Sequence, residues 1–175
     1  MFYVSSFVAL LNILQWTYGV MVMTGDRSAI SVNKIKTNKY DQIFVTRDTH
    51  KDDYLDTKEG EKLPVVHCVR DTEGWQIEPS IFEAIKDRKF QYVDKPTFGS
   101  KDLSFMIALT PDKDLDIDIV GFCTDICVVS NALMLKAIVY NRANITVDSS
   151  CCAGTSKEMH NEALNVMKSC QINII

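Results

Sequence analysis

The sequence predicts an α/β protein built on a mostly parallel sheet. Strand-like apolar runs alternate with helix-period segments, which is the pattern of βαβ units. Before the first charged residue, Asp26, the chain holds a long apolar stretch that reads as a strand buried on both faces. No Pro/Gly/Ser-rich linker, repeat or low-complexity segment interrupts its 175 residues, so we read residues 1–175 as a single domain.

In chain order, Tyr3 to Leu11 is the first expected strand, followed by a loop with Trp16 and Gly19. Ser28 to Asn38 has helical periodicity and Ile43 to Thr46 is β-rich. From His50 to Pro79 there is no clear period; a loop of that length in a compact domain is usually functional. Ile81 to Arg88 is helical and Phe90 to Val93 a weaker strand. Lys101 to Leu109 is helical, Ile117 to Phe122 a strong strand and Thr124 to Tyr140 helical. Ile145 to Val147 is a strand, Lys157 to Lys168 a helix, and Ile172 to Ile175 the closing strand.

A formal net charge of −4, with no Lys/Arg-rich run, argues against nucleic-acid binding. The uncharged start is long enough to span a bilayer. Ser5, Ser6, Asn12, Gln15 and Thr17 dilute it, however, and no basic flank or cleavage pattern accompanies it, so neither an anchor nor a signal peptide is expected. Six cysteines in this length are too few for a disulfide scaffold and lack zinc-ribbon spacing, which suggests a reduced, cytoplasmic protein.

Three constellations carry chemistry. Asp48 and His50, at the expected end of a strand, and His67, in the irregular loop, are a donor set suited to a divalent metal such as Zn, Mn or Fe. The alternative is a turn-capping aspartate with two surface histidines. His160, among Lys157, Glu158, Asn161 and Glu162, reads as an exposed helix residue. In Gly121–Cys127 a buried strand breaks into a helix. Thr124 or Asp125 would cap that helix, and Cys127 would lie in its first turn, where the helix dipole lowers a thiol's pKa. Cys123, Cys151, Cys152 and Cys170 read as buried and inert. The third is Lys95, ending a short strand before Pro96, aimed at the same crevice or else solvated at the surface.

Taken together, Thr46–His50, Glu59-Gly60, Leu63-Pro64, His67-Cys68, Gly74-Trp75, Lys95–Ser100 and Gly121–Cys127 resemble the isochorismatase-like cysteine hydrolases, in their nicotinamidase/pyrazinamidase-like branch. The resemblance implies a Rossmann-like three-layer α/β/α sandwich around a six-stranded, mostly parallel sheet. It also implies hydrolysis of a small heteroaromatic amide to the acid and ammonia through a cysteine thioester. By motif position Cys127 is then the nucleophile, Lys95 the triad lysine and the Cys123 amide part of the oxyanion hole, after a cis Phe122–Cys123 peptide. Asp48, His50 and His67 become ligands of a divalent metal, with Zn the leading choice and Mn or Fe the others. Glu59 or Glu61 stands where some relatives add a carboxylate. Trp16 and Phe98 fall at substrate-binding positions, and family members are often homo-oligomers.

One feature departs from the pattern. The family's triad aspartate, at the end of the first strand, falls here on Leu11 beside Asn12. Three explanations fit it: a weakened enzyme, a non-catalytic relative that only binds its small molecule, or an altered reading frame over the first twenty or so codons. A separate alternative is another reaction of the same family, on a carbamoyl amide or isochorismate.

Overall fold

The computed structural model describes residues 6–12, 25–111 and 114–175, and only the backbone of 6–12 and 25–29. The expected Trp16 position therefore lies outside the described residues, as do Tyr3 and the loop through Gly19, while Leu11 and Asn12 are placed as backbone alone.

The elements alternate as predicted: β1 Ser6–Asn12, α1 Gly25–Thr37, β2 Gln42–Asp48, α2 Pro79–Ile85, β3 Phe90–Lys95, α3 Lys101–Ala108, β4 Leu115–Phe122, α4 Val129–Val139, β5 Ala143–Ala153, α5 Lys157–Ser169 and β6 Asn173–Ile174. Every pairing is parallel, and the strands run in the order β3-β2-β1-β4-β5-β6. Alternate residues of each strand face opposite sides, so a sheet buried on both faces needs two apolar layers. Ile43, Val45, Val120 and Cys151 pack against Ile35 of α1 and Ile81, Ala84 and Ile85 of α2. Phe44, Val93, Ile117, Ile119, Ile145 and Val147 pack against Leu103 and Ile107 of α3, Ala132 and Leu135 of α4, and Met167 of α5.

Several boundaries differ from expectation for identifiable reasons. α2 begins earlier because the Glu78 side chain caps it, accepting from the Ile81 amide, and Pro79 occupies its first turn. β5 is much longer than Ile145–Val147. The polar Asp148-Ser149-Ser150 masks its continuation, and the strand bulges there: Val147 pairs with Ile119, but the next partner of β4, Gly121, faces Cys152. Asp148 is not idle in that bulge, because it accepts a 2.8 Å hydrogen bond from Lys34 Nζ of α1. β6 shrinks to two residues at the sheet edge. Among the described residues, no helix is long and apolar enough to cross a membrane.

The chain moves outward from β1 through β2 to β3, then returns to lay β4 on the other side of β1. A topological switch of this kind opens a crevice at the carboxyl ends of the strands. Asp48 ends β2, Lys95 ends β3 and Cys123 follows β4, so the fold delivers all three to that edge.

Candidate active site

Strand register creates the first contact. Asp48 and Lys95 are Cα partners in the parallel β2–β3 pair, and the Thr49 amide extends the ladder to the Lys95 carbonyl. The Lys95 ammonium, only 3% exposed, donates to Asp48 Oδ1, to the Thr97 carbonyl at 3.3 Å and to Cys127 Sγ at 3.4 Å. An ammonium has three donors, and all three are matched. Burial opposes its charge, but Asp48 and Cys127 more than compensate, so its pKa rises above the ordinary lysine value. The surface-lysine alternative is thereby excluded.

Cys127 arrives from the other side of β1. After β4 the Phe122–Cys123 peptide is cis, as the resemblance implied. The next turn, Thr124–Val128, is a single π-type turn leading into α4. Its N-cap position is Cys123 rather than Thr124 or Asp125, both of which are committed elsewhere. Thr124 Oγ1 lies 2.8 Å from His160 Nδ1, and the Asp125 carboxylate accepts from the amide and hydroxyl of Thr155. The expectation of an exposed His160 is thus overturned: it is 8% exposed and tied to the turn that carries Cys127. Cys170, expected to be buried, is exposed, and Cys123 is partly so.

The expected low thiol pKa is also corrected. Burial pushes Cys127 up to about 12, the Asp48 charge adds to this, and Lys95 only partly offsets both. Helix-terminus stabilisation of a thiolate does not outweigh a dry site with a carboxylate beside it. The resting group is a thiol, whose Sγ lies 3.9 Å from Asp48 Oδ2.

The His50–Pro79 loop is more ordered than its composition suggested. His50 bridges to Val69 through backbone hydrogen bonds to Cys68 and from Arg70, which folds the loop back on itself. That return brings the His67 ring to 4.7 Å from the His50 ring. Tyr54, fully buried, packs on both imidazoles and donates to the Leu63 carbonyl at 3.0 Å. The coil between Tyr54 and Leu63 aims Glu59 inward, with Oε1 at 3.7 Å from His50 Nε2 and 3.9 Å from His67 Nε2. Glu61 points away and pairs with Lys58 at the surface.

His50, Glu59 and His67 offer three ligand atoms within 4.8 Å of one another. Their chemistry fits a divalent metal. His50 Nε2 is buried with no hydrogen-bond partner, and burial followed by the neighbouring His67 keeps its pKa low, so the ring is neutral. His67 Nδ1 lies 2.7 Å from the Val65 carbonyl and must donate there, so Nε2 is the ring nitrogen that faces Glu59 and His50 as a ligand atom. Burial and then the Asp48 charge raise the Glu59 pKa. Asp48 itself lies with Lys95 and Cys127 rather than within this trio.

The coil tolerates no side chain at position 60. A Cβ on Gly60 would fall on the Tyr54 carbonyl oxygen and come within 2.8 Å of Leu55 Cα. Gly60→Ala is expected to cost about 1–3 kcal/mol. For a chain of this size that is a fall of roughly 3–10 °C in melting temperature, read by scanning calorimetry. An unchanged midpoint would mean that the coil relaxes freely.

Residues 30–175 match the model of the isochorismatase domain. The chain belongs to the isochorismatase family. No curated protein sequence matches it. Solved structures of similar fold include the nicotinamidase/pyrazinamidase PncA from Bacillus subtilis, 19% identical with a TM-score of 0.72, covering 98% of this chain and 99% of that one. PnC1 from L. infantum, in complex with nicotinate, has a TM-score of 0.74 at 12% identity, covering 98% of this chain and 92% of that one. The pyrazinamidase of Pyrococcus horikoshii in complex with zinc has 0.70 at 19%, covering 97% and 98%.

Within this isochorismatase-family chain, the structure gathers Asp48, His50, His67, Lys95, Cys123 and Cys127 at one edge, with Phe98 in the adjoining loop. It chooses Glu59 over Glu61. Sequence reasoning missed Asn131, one turn beyond Cys127 on α4. Fully buried, its amide accepts from the Ser100 N–H at 2.9 Å and donates to the carbonyls of Phe98 and Cys127, strapping the Lys95 loop to the turn that carries Cys127. A buried asparagine inside a helix, where that residue is disfavoured, was the available signal.

Proposed function

We propose that the chain is a metal-assisted cysteine amidohydrolase that converts nicotinamide, or a similar small heteroaromatic amide, to the acid and ammonia. The observation that carries this reading is the convergence of the Cys127 sulfur, the Lys95 ammonium and the His50–Glu59–His67 trio on one crevice, with Asp48 touching both Cys127 and Lys95. Family membership supports it, as does the likeness in fold to a nicotinamidase/pyrazinamidase and to a zinc-bound pyrazinamidase. The finer architecture belongs to the same reading: one domain over 1–175, with its six strands in one sheet of a three-layer sandwich.

Cys127 Sγ attacks the carboxamide carbon to form a thioester, which water then hydrolyses. The backbone amides of Cys123 and Cys127 hold the developing oxyanion. Lys95 stays an ammonium and hydrogen-bonds the sulfur, favouring its anion as the proton leaves. Asp48, His50 and His67, joined by Glu59 beside the imidazoles, would hold a divalent cation, zinc before manganese or iron; once bound, it supplies a Lewis-acid anchor for a ring nitrogen. Phe98, 39% exposed, and Trp16 are assigned to the aromatic walls of the pocket.

Six free cysteines fit a reducing, cytoplasmic setting, and exposed Phe105 on α3 and Leu109 just past its end fit a homo-oligomer. The second reading, a binding protein with impaired turnover, is favoured by the absence of an aspartate at Leu11. Ammonia release from nicotinamide and pyrazinamide tests the proposal: turnover by the purified protein is expected, and its absence with metal supplied would favour the binding protein.

A further inference from the structure

A second polar cluster stands at the ends of β2 and β3, behind the crevice. Successive strand residues face opposite sides of a sheet. Arg47 and Asp94, Cα partners like Asp48 and Lys95, therefore lie on the face that Ile43, Val45 and Tyr92 share. Asp94 Oδ1 accepts from Arg47 Nε and Nη2, both at 2.8 Å. The buried Arg47 guanidinium lies 3.8 Å from the centre of the Trp75 ring and 4.1 Å from that of Tyr92. A cation held over aromatic faces away from water is attracted more strongly than at an exposed site.

Two of these partners come from the loop that bears the imidazoles. Trp75 is buried, and its Nε1 donates to Thr49 Oγ1 at 2.8 Å, on the residue between Asp48 and His50. Arg70 Nη1 pairs with Asp94 Oδ2 at 3.1 Å, and its neighbour Val69 makes the bridge to His50 that folds the loop back. The loop is thus gripped shortly after His67, at Arg70 and Trp75, and the strand end at Arg47 and Thr49, on either side of Asp48. Each of these contacts joins loop to strand without using an imidazole or Glu59.

We infer that Trp75 and Arg70, closing on Arg47, Thr49 and Asp94, are positioning residues of the metal site, holding the His50–His67 loop with its ligand atoms already gathered. This rests on the metal-site part of the proposed function and not on the amide substrate. A loop that visits the gathered arrangement only part of the time binds with an affinity reduced by that fraction. A chain that is less stable but still fully folded, with the loop fastened, binds as well as before. Zinc affinity therefore separates a positioning role from a merely structural one.

The full chain is stripped with a chelator and zinc affinity is measured by competition against a chromophoric chelator, at a temperature where circular dichroism shows every variant folded. Trp75→Ala is expected to weaken zinc binding at least about tenfold, the lower end of what supporting residues around a metal contribute. Trp75→Phe keeps a ring for Arg47 but lacks the indole donor to Thr49, and should fall between Trp75→Ala and the wild type. Arg70→Gln, at a half-exposed ion pair, should weaken binding about threefold. Asp148→Ala breaks the Lys34 pair at the β5 bulge; it should lower the melting temperature yet leave zinc affinity within about twofold, as expected of an independent site. Wild-type affinity in Trp75→Ala overturns the assignment. So does an Asp148→Ala variant that loses as much affinity, because stability alone would then be the cause. If Trp75→Ala does not fold, wild-type affinity in both Trp75→Phe and Arg70→Gln overturns it. A wild type that binds no zinc rejects the metal site and the positioning role together. Zinc binding that depends on Trp75, beside absent ammonia release, would retain the positioning role and reject the amide substrate.

Discussion

Cys127→Ala will lower ammonia release from nicotinamide by roughly 10⁴-fold or more, the scale on which removing a nucleophile collapses a covalent mechanism. Among the described residues, the other groups at the crevice are poor substitutes: burial pushes the Cys123 thiol up to about 11. Lys95 is a protonated amine with every donor engaged. Cys68 is buried, and burial holds its thiol up at about 12. The substitution removes one atom from a site that Asn131 and the π-type turn hold in place, so the melting temperature should move by only a few degrees. Hydroxylamine gives a second readout: it should divert a thioester to a hydroxamate in the wild type and give none in the variant. Turnover of Cys127→Ala within tenfold of the wild type would remove the thioester from the mechanism.

Much of this site was legible because parallel-sheet geometry turns sequence position into spatial position. Once Asp48 and Lys95 each end a strand and those strands pair in register, their side chains must meet. Cys127, placed just after β4, arrives at the same edge by the switch at β1. Residues whose direction depends on loop geometry were not legible. Glu59 and Glu61 are chemically identical in the sequence, and only the coil around Gly60 sends one inward and the other to Lys58. Asp48 was read as a ligand from its spacing to His50; its hydrogen bonds to Lys95 and Cys127 are further contacts that the spacing could not express. His160 was misplaced because charged neighbours outweighed a weaker clue: His160, Ala163 and Met167 recur at helical spacing and form the buried side of α5. The long β5 was hidden because Asp148 satisfies Lys34 inside a bulge, a pairing that local propensity cannot express.

His50→Ala is expected to weaken zinc binding by more than about 100-fold, since loss of a direct ligand should exceed the 10–100-fold typical of supporting residues. The argument starts from an unmet need. His50 Nε2 is buried without a hydrogen-bond partner, and a buried polar atom left unsatisfied costs about 1–3 kcal/mol. A cation shared with Glu59 and His67 would remove that deficit, and the Val65 carbonyl already orients His67 for it. The same loop geometry predicts that Glu59→Gln weakens zinc binding strongly, whereas Glu61→Gln leaves it within about threefold. Zinc at 100 times its dissociation constant should stabilise the wild type by about 2.7 kcal/mol and raise its melting temperature, a shift largely lost in His50→Ala. Competition against a chromophoric chelator measures the affinities, and calorimetry measures the shift. If Glu61→Gln weakened zinc binding as much as Glu59→Gln, the coil would not be selecting between the two carboxylates.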